Sequence, residues 1–228
     1  MTIKDKFMSQ FCPEAVIFDM DGLLVDSEPL WVVVERSLIE ERGREYNPAI
    51  TAKYVGMRLL EFWHGMRSDY GFSEQARELM EIAIGRMVAQ IPSRLKEKTG
   101  ASELLAHFHA EGIPCAIATG SFAPVLNAVL DSLNWSHHFV THVTGDEVER
   151  GKPDPQTYLL AAERLGVPPE RCLALEDSPT GAKAAVAAGM VCYAIPDGSH
   201  TTPAHFKDIT PHVHDSLIAV LDLMRACE

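Results

Sequence analysis

Apolar residues recur along this chain in two rhythms. The run Ala15, Val16, Ile17, Phe18 is unbroken until Asp19 and Asp21, and Gly22 follows. A run of that length bounded by charge and glycine predicts a short strand buried on both faces, as in the middle of a parallel sheet. Residues 28 to 42 place Leu30, Val33, Val34 and Leu38 on one side and charges on the other, which is helical spacing, and Pro29 suits a first helical turn. Residues 51 to 66 and 73 to 90 read as two further amphipathic helices, parted by Tyr70, Gly71, Phe72 and Ser73, with Ser73 at the capped start of the second. No strand-like run occurs between residues 30 and 97.

From Thr99 onward helix and strand patterns alternate. Helices are expected over 102–111, 124–133, 155–165 and 181–188, and strands over 113–118, 139–143, 172–175 and 191–195, with a last amphipathic helix over 216–225. Such alternation implies parallel pairing and an α/β doubly wound sheet, a Rossmann-like core. The helical stretch between the first strand and Thr99 then becomes an inserted cap. The expected division is residues 1–28 and 98–228 for the core and 29–97 for the cap.

Charge and cysteine content narrow the partners. A formal charge of -12 without a dense Lys/Arg cluster makes nucleic acid an unsuitable ligand. A small anion remains compatible, because a metal and a few cations reverse the field inside one cleft. The five cysteines are scattered and odd in number, without zinc spacing or a disulfide framework, and they suit buried thiols in a reducing compartment. No signal-peptide pattern and no apolar run of membrane-spanning length is seen, so a cytoplasmic protein with no membrane contact is expected.

Several predicted strand ends carry polar chemistry. Asp19 and Asp21 follow the first strand, at the end of a parallel sheet where ligands bind. A calcium loop is excluded there, since Leu23 stands where an oxygen ligand is needed and Gly22 falls in the wrong place. A plain polar cap accounts for one acid but leaves the second unexplained, because like charges so close call for a cation or a proton. Thr119, Gly120 and Ser121 offer a hydroxyl and amides ahead of a helix, as a phosphate site or an ordinary cap. Glu176 and Asp177 repeat the acidic pair, and Gly151, Lys152, Pro153, Asp154 and Pro155 form a rigid loop holding one lysine. Hard oxygen donors of this kind suit Mg²⁺ together with a substrate phosphate.

Read in order, Asp19-Met20-Asp21-Gly22, Thr119, Lys152 and Glu176-Asp177 resemble the four motifs of the haloacid dehalogenase-like hydrolase superfamily. The likeness spans nearly the whole chain, including FDMDGLLVDSEP, GKPDPxxY and LEDSPTGAKAAVAAGM. The helical insert is similar to the cap of the β-phosphoglucomutase-like branch. This resemblance implies that Asp19 is a nucleophile giving an aspartyl phosphate and that Asp21 moves protons. It implies that Thr119, Gly120 and Lys152 hold the phosphoryl group. Asp19, Asp177 and the backbone carbonyl of Asp21 would bind Mg²⁺, with Glu176 acting through water or from behind the ligands.

Departures from the pattern select among reactions. Asp21 argues against a dehalogenase, which needs neither that acid nor Mg²⁺. Lys53 sits in the cap where a phosphonatase would use a Schiff-base lysine, but an exposed helical lysine accounts for it. Trp31 stands where a mutase carries a hinge histidine, and Phe122 and Ala123 stand where it grips a second phosphate. Hydrolysis of a sugar or nucleoside phosphate is therefore expected, with a phosphosugar mutase and a non-catalytic phosphometabolite sensor as alternatives. Val55, Gly56, Met57 and Arg58 resemble the substrate-reading loop of the cap, which makes Arg58 a candidate contact for the leaving group, with Glu28 near the hinge as a second. The exact metabolite and the oligomeric state are not encoded in these motifs.

Overall fold

The structure, a computed structural model, describes residues 11–54, 58–198 and 201–226. Its first strand, β1 (Ala15–Phe18), is buried at every position. The inserted helices are α1 (Glu28–Glu40), α2 (Pro48–Thr51), α3 (Leu59–Tyr70) and α4 (Ala76–Arg94). Then come α5 (Ala101–Ala110), β2 (Cys115–Ala118), α6 (Ala123–Leu133), β3 (Thr141–Val143) and α7 (Gln156–Leu165). The chain continues through β4 (Cys172–Glu176), α8 (Pro179–Ala187), β5 (Val191–Ala194) and α9 (Leu217–Arg225). The five strands form one sheet of order β3-β2-β1-β4-β5, and every pairing is parallel. This is the doubly wound architecture expected from the alternation.

Alternating side chains sort the sheet into two apolar layers. Val16 and Phe18 of β1, with Leu173 and Leu175 of β4, enter one cluster that continues through Leu105 and Phe108 to Trp63, Met66 and Met87 of the inserted helices. Ala15 and Ile17 face the other way, with Ala116, Ala118, Ala174, Ala184 and Ala185. Alanine at these positions lets helices α7 and α8 approach the sheet closely, because successive strand residues point to opposite faces.

The single helix expected over 51–66 is replaced by α2 and α3. Pro48 opens the short helix α2, whose start is capped by Asn47 Oδ1 accepting the Ala49 N–H at 3.0 Å. Arg58 is extended, and α3 begins after it. Val55 to Met57 lie outside the described residues. Helix α4 starts after Gln75, not at Ser73, whose hydroxyl donates to the Glu74 carboxylate at 3.2 Å. The chain enters and leaves the inserted helices side by side. Val25 bridges antiparallel to Glu97, the Asp26 N–H donates to Lys96 O at 2.9 Å, and the Lys98 N–H donates to Leu24 O at 2.8 Å.

Among the described residues Cys115, Cys172 and Cys192 are buried and Cys12 is exposed; Cys227 lies outside the described residues. No helix among the described residues is long and apolar enough to cross a membrane.

Candidate active site

Strands β1 and β4 are neighbours in register, with Phe18 opposite Leu175. Asp19 and Glu176 therefore leave the sheet side by side, and the Asp19 N–H donates to Leu175 O at 3.0 Å. The chain runs from β1 to β2 on one side of the sheet and returns to β4 on the other, so these residues flank a point where strand order reverses, the usual location of an α/β ligand site. Carboxylate oxygens of Asp19, Glu176 and Asp177 lie within 4.8 Å of one another. The turn after β1 runs tight against this group: Gly22 has φ +83°, and a Cβ there would stand 2.2 Å from Asp177 Oδ2.

Lys152 enters from the loop before α7. Its Nζ lies 2.7 Å from Asp19 Oδ1 and 2.6 Å from Glu176 Oε1. Glu176 is wholly buried and fully engaged. Besides the lysine, its Oε1 accepts from the Tyr158 hydroxyl at 2.9 Å, and its Oε2 accepts from the Ser178 N–H and hydroxyl, each at 3.0 Å. Tyr158 is also buried under the ammonium, whose nitrogen stands 5.0 Å from the ring centroid. Gly181 makes room for this arrangement, because a Cβ there would fall 1.6 Å from Glu176 Oε1. Tyr158 ends the GKPDPxxY stretch and Ser178 follows the second acidic pair, but nothing in the sequence assigns either a role in the site.

Electrostatics make this cluster hungry for positive charge. Burial pushes the Asp19 carboxyl up to about 7, against the pull of Lys152 and with help from the charges of Glu176 and Asp21. Burial, Asp19 and Glu176 likewise raise Asp177 well above the carboxylate range. Burial works to lower the Lys152 pKa, but the charges of Asp19 and Glu176 outweigh it and raise it. One ammonium among three acids leaves a surplus of negative charge, and the donors are hard carboxylate oxygens. The residues present therefore fit a divalent cation such as Mg²⁺.

Asp21 looks the other way. Its Oδ1 accepts from the Ser27 hydroxyl at 2.6 Å, and its Oδ2 accepts from Ser121 Oγ at 2.7 Å and Thr119 Oγ1 at 3.3 Å. The Thr119 hydroxyl in turn accepts the Ser121 N–H at 3.0 Å. The two acids of the first motif thus occupy different surroundings, one carboxylate beside a lysine and two acids, the other among hydroxyls. Gly120 stands exposed in the same turn. Ser27 and Ser121 lay within stretches already noted, but nothing in their spacing tied them to Asp21.

Among the cap candidates, the Arg58 guanidinium donates to Glu149 O at 2.8 Å and to Val148 O at 3.4 Å, so it bridges the inserted helices to the loop carrying Lys152. It also lines, with Glu61, Arg150 and Lys152, a cleft of about 380 Å³. Glu28 is half-buried at the start of α1, next to Ser27. Lys53 pairs at the surface with Asp69 at 2.9 Å. Trp31 is half-buried against the apolar cluster.

This geometry has relatives. The model of the haloacid dehalogenase-like hydrolases matches residues 13–189, and the chain belongs to that family. It is 35% identical over 184 residues to a phosphorylated carbohydrates phosphatase of Thermotoga maritima, covering 78% of this chain and 82% of the relative. It is 32% identical over 219 residues to a Drosophila melanogaster protein described as a probable pseudouridine-5'-phosphatase, covering 90% and 89%. Among solved structures, CbbY from Rhodobacter sphaeroides in complex with phosphate superposes with a TM-score of 0.79 at 26% identity, over 90% of this chain and 95% of that one. The chain is accordingly a phosphatase of small phosphorylated metabolites within the haloacid dehalogenase-like fold.

Proposed function

We propose that this protein is a Mg²⁺-dependent phosphatase that transfers the phosphoryl group of a sugar or nucleoside phosphate to Asp19 and then to water. The observation that carries this reading is the division of labour between Asp19, held 2.7 Å from Lys152 beside Asp177, and Asp21, held by three hydroxyls. The Asp19 carboxylate attacks phosphorus, and the ester oxygen departs as an alcohol carrying a proton from Asp21. Asp21 then takes a proton from water as its oxygen attacks phosphorus, which frees Asp19 and inorganic phosphate. Thr119, Gly120 and Lys152 orient the phosphoryl oxygens. Asp19, Asp177 and the Asp21 carbonyl would hold Mg²⁺, which when bound supplies the charge that offsets the acids and the phosphate. Glu176 positions Lys152 from behind.

Residues 1–28 and 98–228 act as the catalytic core and residues 29–97 as its lid, a division supported by the paired chain crossings at Asp26 and Lys96. Hydrolysis is favoured over phosphosugar mutation by the start of α6. There Asp146 Oδ1 accepts the Ala123 N–H at 3.1 Å, which puts a carboxylate where a second phosphate would need a cation. The relatives' names support a carbohydrate or nucleoside leaving group.

The test is a panel of sugar and nucleoside phosphates with Mg²⁺ or with a chelator. Phosphate released only with the metal is expected. An isomer formed without free phosphate would replace this reading with the mutase, and neither product would replace it with a sensor.

A further inference from the structure

Strand β4 ends at Glu176, whose carbonyl accepts the Ile195 N–H from the end of β5 at 2.7 Å. Asp177 stands one residue beyond the strand, where backbone groups need partners other than the ladder. Its carbonyl oxygen accepts from Thr201 Oγ1 at 3.0 Å, a bond that spans 24 residues of sequence. Thr201 is itself braced by Asp197. The Asp197 N–H donates to Thr201 Oγ1 at 3.1 Å, and the Thr201 N–H donates to Asp197 Oδ1 at 3.3 Å. The hydroxyl oxygen thus accepts from Asp197 while its proton serves Asp177. On the other side of Asp177, Ser178 is bonded to Glu176 Oε2 and caps α8 by accepting the Gly181 N–H at 3.0 Å. The peptide that carries the second acid of this motif is therefore held before and after, and a distant segment fixes its carbonyl.

Such bracing matters most where a side chain must be aimed. The Asp177 carboxylate presses on the turn after β1, since a Cβ at Gly22 would stand 2.2 Å from its Oδ2, and it shares one cluster with Asp19 and Glu176. Rotation of the Asp177 peptide would swing the carboxylate into that turn or out of the cluster. Mg²⁺ accepts ligands only in near-octahedral geometry at about 2.0–2.1 Å, so a misaimed oxygen is felt as lost affinity. Groups that orient a ligand from behind are accordingly strong determinants of metal binding. Resting on the metal-dependent phosphatase reading above, we propose that Thr201, braced by Asp197, is a positioning residue for Mg²⁺ that holds the Asp177 peptide so its carboxylate is aimed before the ion arrives. Asp197 contributes a second way, because its negative charge acts on Asp177 and adds to the pull on a cation. Neither residue belongs to the four sequence motifs.

The test titrates Mg²⁺ alone into wild type, Thr201→Val, Thr201→Ala and Thr201→Ser, with binding followed by calorimetry and Tm measured in chelator and in excess metal. Thr201→Val and Thr201→Ala both lose the hydroxyl, one keeping its volume and one not, and each is expected to raise the Kd for Mg²⁺ about tenfold. Thr201→Ser keeps the hydroxyl and should recover most of the affinity. An unchanged Kd, with a Tm loss that is the same in chelator and in Mg²⁺, would show a hydroxyl that only supports the fold and would overturn the positioning role. So would a Thr201→Ser variant as weak as Thr201→Val. A wild type that neither binds Mg²⁺ nor needs it to release phosphate would overturn the metal-dependent reading on which the role rests. Thr201-dependent Mg²⁺ binding without phosphate release from any ester would keep the role and overturn the phosphatase instead.

Discussion

The Lys152 ammonium lies 2.6 Å from Oε1 of Glu176, a carboxylate with no exposed surface. The same nitrogen reaches Asp19 at 2.7 Å, so the orientation of the lysine toward Asp19, the proposed nucleophile, depends on a wholly buried acid. Glu176→Gln keeps the size of the side chain and loses its charge. It is expected to lower kcat about ten- to hundredfold with a smaller effect on KM, since a hydrogen bond to a charged group is worth about 1.5–3 kcal/mol. Lys152→Met, which strands the buried acids, should destabilise the fold by about 3–5 kcal/mol in denaturant titrations. Unchanged kinetics in the first variant would remove Glu176 from its positioning role.

Asp21 is oriented by the Ser27 and Ser121 hydroxyls, at 2.6 and 2.7 Å. Ser27→Ala and Ser121→Ala should each reduce kcat about tenfold or more on a substrate with a poorly leaving alcohol. An activated ester, whose leaving group needs no proton, should be affected less in the phosphorylation step. Equal losses on both esters in single-turnover measurements would contradict the proton-moving role of Asp21.

Much of this site was legible because it hangs on strand ends. An apolar run that stops at acids fixes β1 and Asp19 together, and the same holds for β4 with Glu176 and Asp177, so parallel register alone brings the acids into one cluster. Thr119 and Lys152 followed from the turn after β2 and the proline-rich loop before α7. What stayed hidden depends on rotation and on long-range approach. Tyr158 meets Glu176 only because α7 turns that face to the sheet, and Ser27 meets Asp21 only because the turn through Gly22 folds back. The helix expected over 51–66 failed because amphipathic spacing is continuous through a segment whose Pro48 start and extended Arg58 divide it. Arg58, expected at the leaving group, donates to the carbonyls of Val148 and Glu149 and lines the cleft beside Lys152.

Mg²⁺ should stabilise the fold by relieving repulsion among Asp19, Glu176 and Asp177. At a hundredfold excess over its Kd the gain is about 2.7 kcal/mol, visible as a rise in Tm that a chelator reverses. Asp177→Asn should need more Mg²⁺ for the same rise and for activity. A titration that matches wild type would count against Asp177 as a ligand.

Glu35 gives a pH dependence of its own. Burial, then the charge of Glu28, pushes its carboxyl from 4.5 up to about 8. Between these values the folded protein keeps a proton that the unfolded chain has released, so stability contributed by this group is full at low pH and is lost as pH rises toward 8. The slope is at most about 1.4 kcal/mol per pH unit. Glu35→Gln should flatten that part of the stability profile, measured by urea unfolding in chelator from about pH 5 to pH 9. Parallel profiles for the two proteins would show that Glu35 is ionised in the fold.

A nucleophilic Asp19 carries the phosphoryl group during turnover. Rapid acid quench during turnover of a good substrate, followed by peptide mass analysis, tests it directly. One phosphoryl group is expected on the peptide containing Asp19, labile to hydroxylamine, with its loss together with turnover in Asp19→Asn. Steady phosphate release with no phosphorylated peptide, or undiminished turnover in Asp19→Asn, would contradict it.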